Sequence, residues 1–319
     1  MTTPAKKLFS FAVKAIIVVV AFGFIYHKVS NNADLAQFRH LILPVKKSSV
    51  VITLTAVIVL MLANWLLEAL KWKYLTRVLA PISIYTAVES VFCGLTLAIF
   101  TPNRLGEYGG RVMFLPPRKR VHGVFSMAVG SFAQMVITNV LGTIAILWFG
   151  YRFLHPPIWL YLAAIIVGAV IVTLFLVFYF NVGWLVTMLN NIPFLKKYHR
   201  FFGIMNRYHS HELGNIMLYS LARFAVFTFQ YYLVLHLLIP QLATFPMLMM
   251  VLILFFIQSI LPSLDLLDVG VRGLTAGFFF HFVTGQSIAV IAAVSSIWFI
   301  NLIVPAIIGS VFVFKLKLF

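Results

Sequence analysis

The chain is poor in acid. Aspartate and glutamate number only seven in 319 residues, against 24 lysines and arginines, for a formal charge of +17. It has one cysteine, Cys93, which excludes an intrachain disulfide and any cysteine metal cluster. Its nine histidines are scattered. The nearest pair, His209 and His211, are two positions apart and would face different ways on a helix. We therefore expect no metal site and no cofactor, and no catalytic residue stands out. A polar stretch long enough to fold a soluble catalytic domain is also missing. In its place, 62% of the residues are hydrophobic and the mean hydropathy is +1.04, where a soluble domain is about half apolar.

In a soluble protein such a basic excess would suggest nucleic acid. In a chain this apolar, basic loops instead anchor to anionic leaflets and set orientation. The expected environment is a membrane, with no nucleic-acid partner; an anionic substrate is a second use for the same charge. The start of the chain, basic through Lys7, runs into an apolar stretch without an obvious small-residue cleavage site. It reads as a retained helix rather than a signal peptide.

Apolar runs of roughly 20 residues recur along the chain. We read full spans at 8–27, 50–70, 121–149, 157–180, 215–239 and 287–314. Lys14 lies inside the first, placed to snorkel. Residues 157–180 have almost no polar atoms and should face lipid. Leu35, Phe38, Leu41 and Ile42 fall at helical spacing in an otherwise polar link, the pattern of an interfacial amphipathic helix. Residues 181–214 form a long polar segment with Lys196, Lys197, Arg200 and Arg207, expected as short helices on the membrane surface. Ser131, Gln134 and Thr138 share a helix face with Asn139 beside them, an arrangement suited to interhelical hydrogen bonds; Gln134 and Asn139, with Glu89, are also candidates for a proton or polar relay.

Two apolar elements, 83–116 and 245–283, are interrupted. The first holds Thr101-Pro102-Asn103-Arg104-Leu105-Gly106-Glu107-Tyr108-Gly109-Gly110-Arg111. Proline and glycine break helices, and charge on broken backbone is tolerated at membrane depth only inside protein or beside water. The second runs from Leu261-Pro262 through Asp265, Asp268, Gly270, Val271 and Arg272. Both follow the order Pro, acid, Gly, Arg, and the two prolines lie 160 residues apart in the 319-residue chain, which points to an internal repeat.

Charge decides topology. If both interrupted elements enter and leave by one face, the inner segments carry fourteen basic residues: Lys6, Lys7, Lys71, Lys73, Arg77, Arg118, Lys119, Arg120, the four of 181–214, Lys315 and Lys317. The outer segments carry five: Lys28, Arg39, Lys46, Lys47 and Arg152. A full crossing at 83–100 destroys the bias. The expectation is a single all-α polytopic membrane domain over 1–319. It has about six full spans plus two re-entrant half-helix pairs that enter from opposite faces as an inverted repeat. Both termini would be cytoplasmic, in the cytoplasmic membrane.

The first motif, with Arg111, and the late Leu-Pro-Ser and Gly-Val-Arg resemble the membrane domain of the lysylphosphatidylglycerol synthase (flippase-like) family over roughly residues 8–314. The resemblance implies the movement or supply of lipids, either anionic phospholipids or polyprenyl-phosphate-linked molecules. The 319 residues contain no soluble aminoacyl-transferase domain, so lysyl transfer is not implied. Pro102, Arg104, Gly106, Glu107 and Arg111 fall on the family's first motif; Pro262, Gly270 and Arg272 fall on its second. The family's glycine-rich turn and its glutamate after Gly-Val-Arg are absent here. Asp265 or Asp268 would supply the carboxylate, or that site has changed its ligand.

Guanidinium suits bidentate contact with phosphate. The expected function is therefore lipid translocation, with Pro102, Arg104, Gly106, Glu107, Arg111, Asp265, Asp268, Gly270 and Arg272 as the substrate site. An alternative is a headgroup- or glycosyl-transferring membrane enzyme, with Asp265 and Asp268 three apart as its base or metal ligands, or a membrane partner of such an enzyme. A plainer role for Arg111 is an ion pair with Glu107 one helical turn away.

Overall fold

The structure is a computed structural model that describes residues 11–20, 22, 23, 26, 33–99, 101, 104–193, 199–260 and 265–316, with the side chains of 34, 35 and 265–270 outside that description. Among these residues it is all α-helical. The helices are α1 (Phe11–Val20), α2 (Ala33–Ile42), α3 (Lys47–Thr76), α4 (Ile84–Ala98), α5 (Leu105–Val112), α6 (Arg120–Phe149), α7 (Ile158–Phe180), α8 (Val182–Asn191), α9 (His199–Phe202), α10 (Ser210–Leu238), α11 (Thr244–Ile260), α12 (Asp265–Phe280), α13 (Ser287–Trp298) and α14 (Val304–Val313).

Five helical stretches are long and apolar enough to cross a membrane: α3, α6 with its flanking turns, α7, α10, and α13 continuing into α14. They coincide with five of the spans read from hydropathy. Much of the sixth, 8–27, lies outside the described residues, although α1 is helical and Lys14 Nζ donates to the carbonyl of Phe314 at 2.9 Å. The 30-residue α3 contains no proline or glycine and is about 45 Å long. Its buried stripe of Val57, Met61, Asn64, Trp65, Glu68, Trp72 and Leu75 follows the spacing of one helix face. By contrast α7 buries only Gly168 and Tyr179, as its featureless apolar sequence predicts. Segment 181–214 does fold into short helices, α8, α9 and a 3₁₀ turn at Gly203–Arg207.

Arg77 at the end of α3 pairs with Glu212 at the start of α10, which defines one end of the bundle. Tyr208 donates to the Leu75 carbonyl there at 2.8 Å. His122 meets Phe201 and Phe125 meets Phe202, with ring centroids 5.4 Å and 5.9 Å apart, so α6 begins at this end too. The opposite end holds Arg152, Gln241, Thr284 and Gln286 around one cavity. Helices α4 and α5 therefore leave and rejoin the Arg77 end, while α11 and α12 leave and rejoin the Arg152 end. The two helical hairpins open in opposite directions. Between them the core is apolar and aromatic: Phe224, Phe227 and Tyr231 of α10 close around Phe255 of α11.

Two sequence readings need correction. Helix α10 starts at Ser210 rather than 215, because the Glu212 carboxylate accepts from the His209 backbone N–H at 2.9 Å and so satisfies an otherwise orphan donor. Arg223 thus sits near the middle of a 29-residue helix. The interrupted stretches are also more helical than their glycines suggest. Leu105–Val112 is continuous helix, and Asp265, Asp268, Gly270 and Arg272 all lie within α12.

Candidate functional site

The α4–α5 hairpin carries the site, and its glycines explain its shape. A Cβ on Gly110 would lie 2.6 Å from the Gly94 Cα, and one on Gly106 would lie 2.2 Å from the Leu97 carbonyl oxygen. Only bare backbone lets α5 lie this close to α4. Thr101 Oγ1 accepts from the Gly106 N–H at 2.7 Å, capping α5 from within the turn. Arg104 precedes α5 in the left-handed region, with φ 56° and ψ 28°, where a residue with a Cβ is strained.

From this hairpin Arg111 reaches two carboxylates. It donates to Glu107 one turn back on α5 and to Glu68 on α3. Glu68 also receives Arg223 from the middle of α10 and lies 2.9 Å from Lys71 Nζ. Arg223 is steadied by Asn64, whose Oδ1 accepts from its Nε at 3.0 Å, and by the Trp65 ring, 5.2 Å from its guanidinium. Arg104 pairs with Glu107 at 3.1 Å. Glu68, Lys71 and Arg111 are buried, and Arg104 is partly exposed. Nε of Arg111 and Nε of Arg104 are buried without a hydrogen-bond partner.

The network thus joins three helices and sets four cations against two carboxylates, a formal excess of two positive charges. Burying charge is costly, and the cost is offset only by close opposite charge and complete hydrogen bonding. The carboxylates here cannot neutralise all four cations. An anion placed beside Arg104 and Arg111 would meet unpartnered N–H groups in a region of weak screening.

Among the expected residues, Arg104, Gly106, Glu107 and Arg111 are brought together. Pro102 and Pro262 lie outside the described residues, as do the side chains of Asp265 and Asp268; only the backbone of Gly270 is described. Arg272 is half-buried on α12, which packs on α11 and α13, whereas α5 packs on α4 and α6. The expected meeting of the two interrupted tips also lies outside the described residues. The proposed relay residues do not gather here. Glu89 pairs with Lys315. Asn139 donates back to the Met135 carbonyl of its own helix at 2.8 Å. Gln134 Oε1 is buried without a partner, while neighbouring Ser131 bonds Tyr108 of α5 at 3.1 Å.

Glu68, Lys71, Asn64 and Arg223 were not singled out from the sequence. The available signal was an ionisable residue deep in an apolar span, which Arg223 provides once α10 is correctly bounded. Among the described residues, no three His, Cys, Asp or Glu side chains converge as metal ligands. No protein-family model and no curated protein matches the chain.

Proposed function

We propose that the protein translocates lipids and binds an anionic headgroup, on a phospholipid or a polyprenyl-phosphate carrier, at the Glu68–Glu107 cluster. The observation that carries this reading is the excess of two positive charges shared by Arg111, Lys71, Arg223 and the partly exposed Arg104. A phosphate would complete the charge balance, and the guanidinium forks suit its oxygens. Glu107 and Glu68 hold the cations in place when the site is empty.

On this reading the α4–α5 and α11–α12 hairpins are re-entrant in the membrane and form an inverted repeat. Pro102 and Gly106 shape the first and Gly270 the second, while Asp265, Asp268 and Arg272 supply the second half of the site. Transporters built from inverted repeats place their substrates between such elements. The positive-inside bias puts the Arg77 end in the cytoplasm.

The test is reconstitution in vesicles with fluorescent phosphatidylglycerol and phosphatidylcholine, scored by accessibility to a membrane-impermeant quencher. Arg111→Gln and Arg104→Gln should each slow movement of the anionic lipid roughly tenfold or more, since a charged hydrogen bond is worth about 1.5–3 kcal/mol. Unchanged rates in both variants, with folded protein in the vesicles, would reject the site.

A further inference from the structure

At the Arg152 end of the bundle lies a cavity of about 490 Å³, lined by Trp148, Arg152, Gln241, Thr284 and Gln286 among others. It forms where the end of α6, the α10–α11 link and the α12–α13 link converge, so three separate parts of the chain contribute polar groups. Its size lies within the range of small-molecule sites. Arg152 also borders a second cavity of about 330 Å³ with Tyr151, His155 and Tyr161. The backbone is irregular here: α6 widens into a π-turn over Gly150–Leu154, ended by His155 in the left-handed region at φ 46°. This terminal π-turn sets Arg152 at the border of both cavities.

The lining chemistry is one-sided. The larger cavity offers a guanidinium, two carboxamides and a threonine hydroxyl, and no carboxylate; the smaller adds two tyrosines and a histidine, again with no carboxylate. Each carboxylate whose side chain is described, on Glu68, Glu89, Glu107 and Glu212, is paired elsewhere. Trp148 stands edge-on to Phe153 and Phe245, with centroids 5.6 Å and 5.5 Å apart, and so forms a rigid apolar wall. A basic residue that only anchors a helix end needs no such cavity.

We infer that this cavity binds an anionic phosphate group. Arg152 supplies the charge and fork, and Gln241, Gln286 and Thr284 supply hydrogen bonds to ester or hydroxyl oxygens. The phosphate can arrive on a lipid or free. This assignment does not depend on the cluster at the other side of the hairpins or on transport.

The test is native mass spectrometry of the full chain in nonionic detergent, titrated with phosphatidylglycerol and, separately, diacylglycerol, which has the same chains and no phosphate. Arg152→Gln should weaken one phosphatidylglycerol binding event roughly tenfold or more and leave diacylglycerol binding unchanged. Arg152→Lys should recover part of the loss. Arg104→Gln should leave the Arg152-dependent event intact, which keeps this site separable from the cluster. Competition by inorganic phosphate would identify the free anion as sufficient; no competition, with the Arg152 dependence retained, would identify the lipid headgroup as the ligand. Equal phosphatidylglycerol binding by wild type and Arg152→Gln would overturn the assignment, as would equal binding of the two lipids at the Arg152-dependent site.

Discussion

Arg111 on α5 and Glu68 on α3, 43 positions apart in the chain, form a buried ion pair, while Arg111 holds Glu107 one turn back on its own helix. This double engagement changes what the Arg111–Glu107 pair can tolerate. Had it been a local i, i+4 pair, exchanging the two charges would preserve it. Here Glu107→Arg with Arg111→Glu turns a carboxylate toward Glu68 and leaves Arg223 and Lys71 to compensate. We expect the swap to remain less stable than wild type in a detergent melting assay and inactive in vesicles. Full recovery of both would mean that the contact with Glu68 contributes little.

Glu68 should be the residue whose loss costs most. It faces Arg111, Arg223 and Lys71, so Glu68→Gln leaves three buried cations short of a partner. Removing one side of a buried pair costs about 3–5 kcal/mol. Arg223→Gln in the same background should then be less harmful than in wild type, a non-additivity of about 0.5–3 kcal/mol. Chemical denaturation of the four proteins in a mixed-micelle system measures it, and additive losses would argue against a coupled network.

Two adjacent glycines on α5 should respond in opposite ways. A Cβ on Gly109 meets nothing within 4 Å, whereas one on Gly110 runs into the α4 backbone. Gly109→Ala should be neutral or stabilise by up to about 1 kcal/mol through helix propensity. Gly110→Ala should destabilise by about 1–3 kcal/mol, because the α4–α5 hairpin must open. Equal melting temperatures for the two variants would contradict the close approach.

Arg104 should separate stability from binding. Its left-handed backbone costs a residue with a Cβ about 1–2 kcal/mol, and glycine pays no such penalty. Arg104→Gly should therefore melt no lower than wild type yet bind anionic lipid roughly tenfold more weakly. Arg104→Ala keeps the strain and loses the charge. Undiminished binding by both variants would remove Arg104 from the site.

The bundle's ends make a topological prediction. In a Cys93→Ser background, Arg118→Cys and Asn206→Cys should be labelled from one side of the membrane, and Arg152→Cys and Gln241→Cys from the other. Residues near the first two meet through His122 and Phe201, and the second two line one cavity. An impermeant maleimide compared with a permeant one reads this directly. Labelling of Arg118→Cys and Asn206→Cys from opposite sides would break the scheme.

The spans of α3, α6, α7 and α10 were legible from the sequence because lipid requires long unbroken apolar helices, and hydropathy records that requirement residue by residue. The outward position of α7, which buries only Gly168 and Tyr179, followed from its lack of polar atoms. Arg104, Glu107 and Arg111 were legible because charge beside proline and glycine is conspicuous in an apolar chain. The pair of Arg111 with Glu107 was legible too; their partners on other helices were not. Arg223 sits alone in a hydrophobic run and Glu68 has only Lys71 within a turn, and nothing local says that Arg111, 43 positions from Glu68, or Arg223, 155 positions from it, will pair with it. The boundary of α10, set by a single carboxylate at the His209 backbone, places Arg223 at the middle of its helix. The sequence alone determined which residues must avoid lipid. Only tertiary packing, through bare glycine backbone that draws α5 onto α4, decided which of them meet, because ion pairs between helices depend on distances in space that periodicity along one helix does not encode.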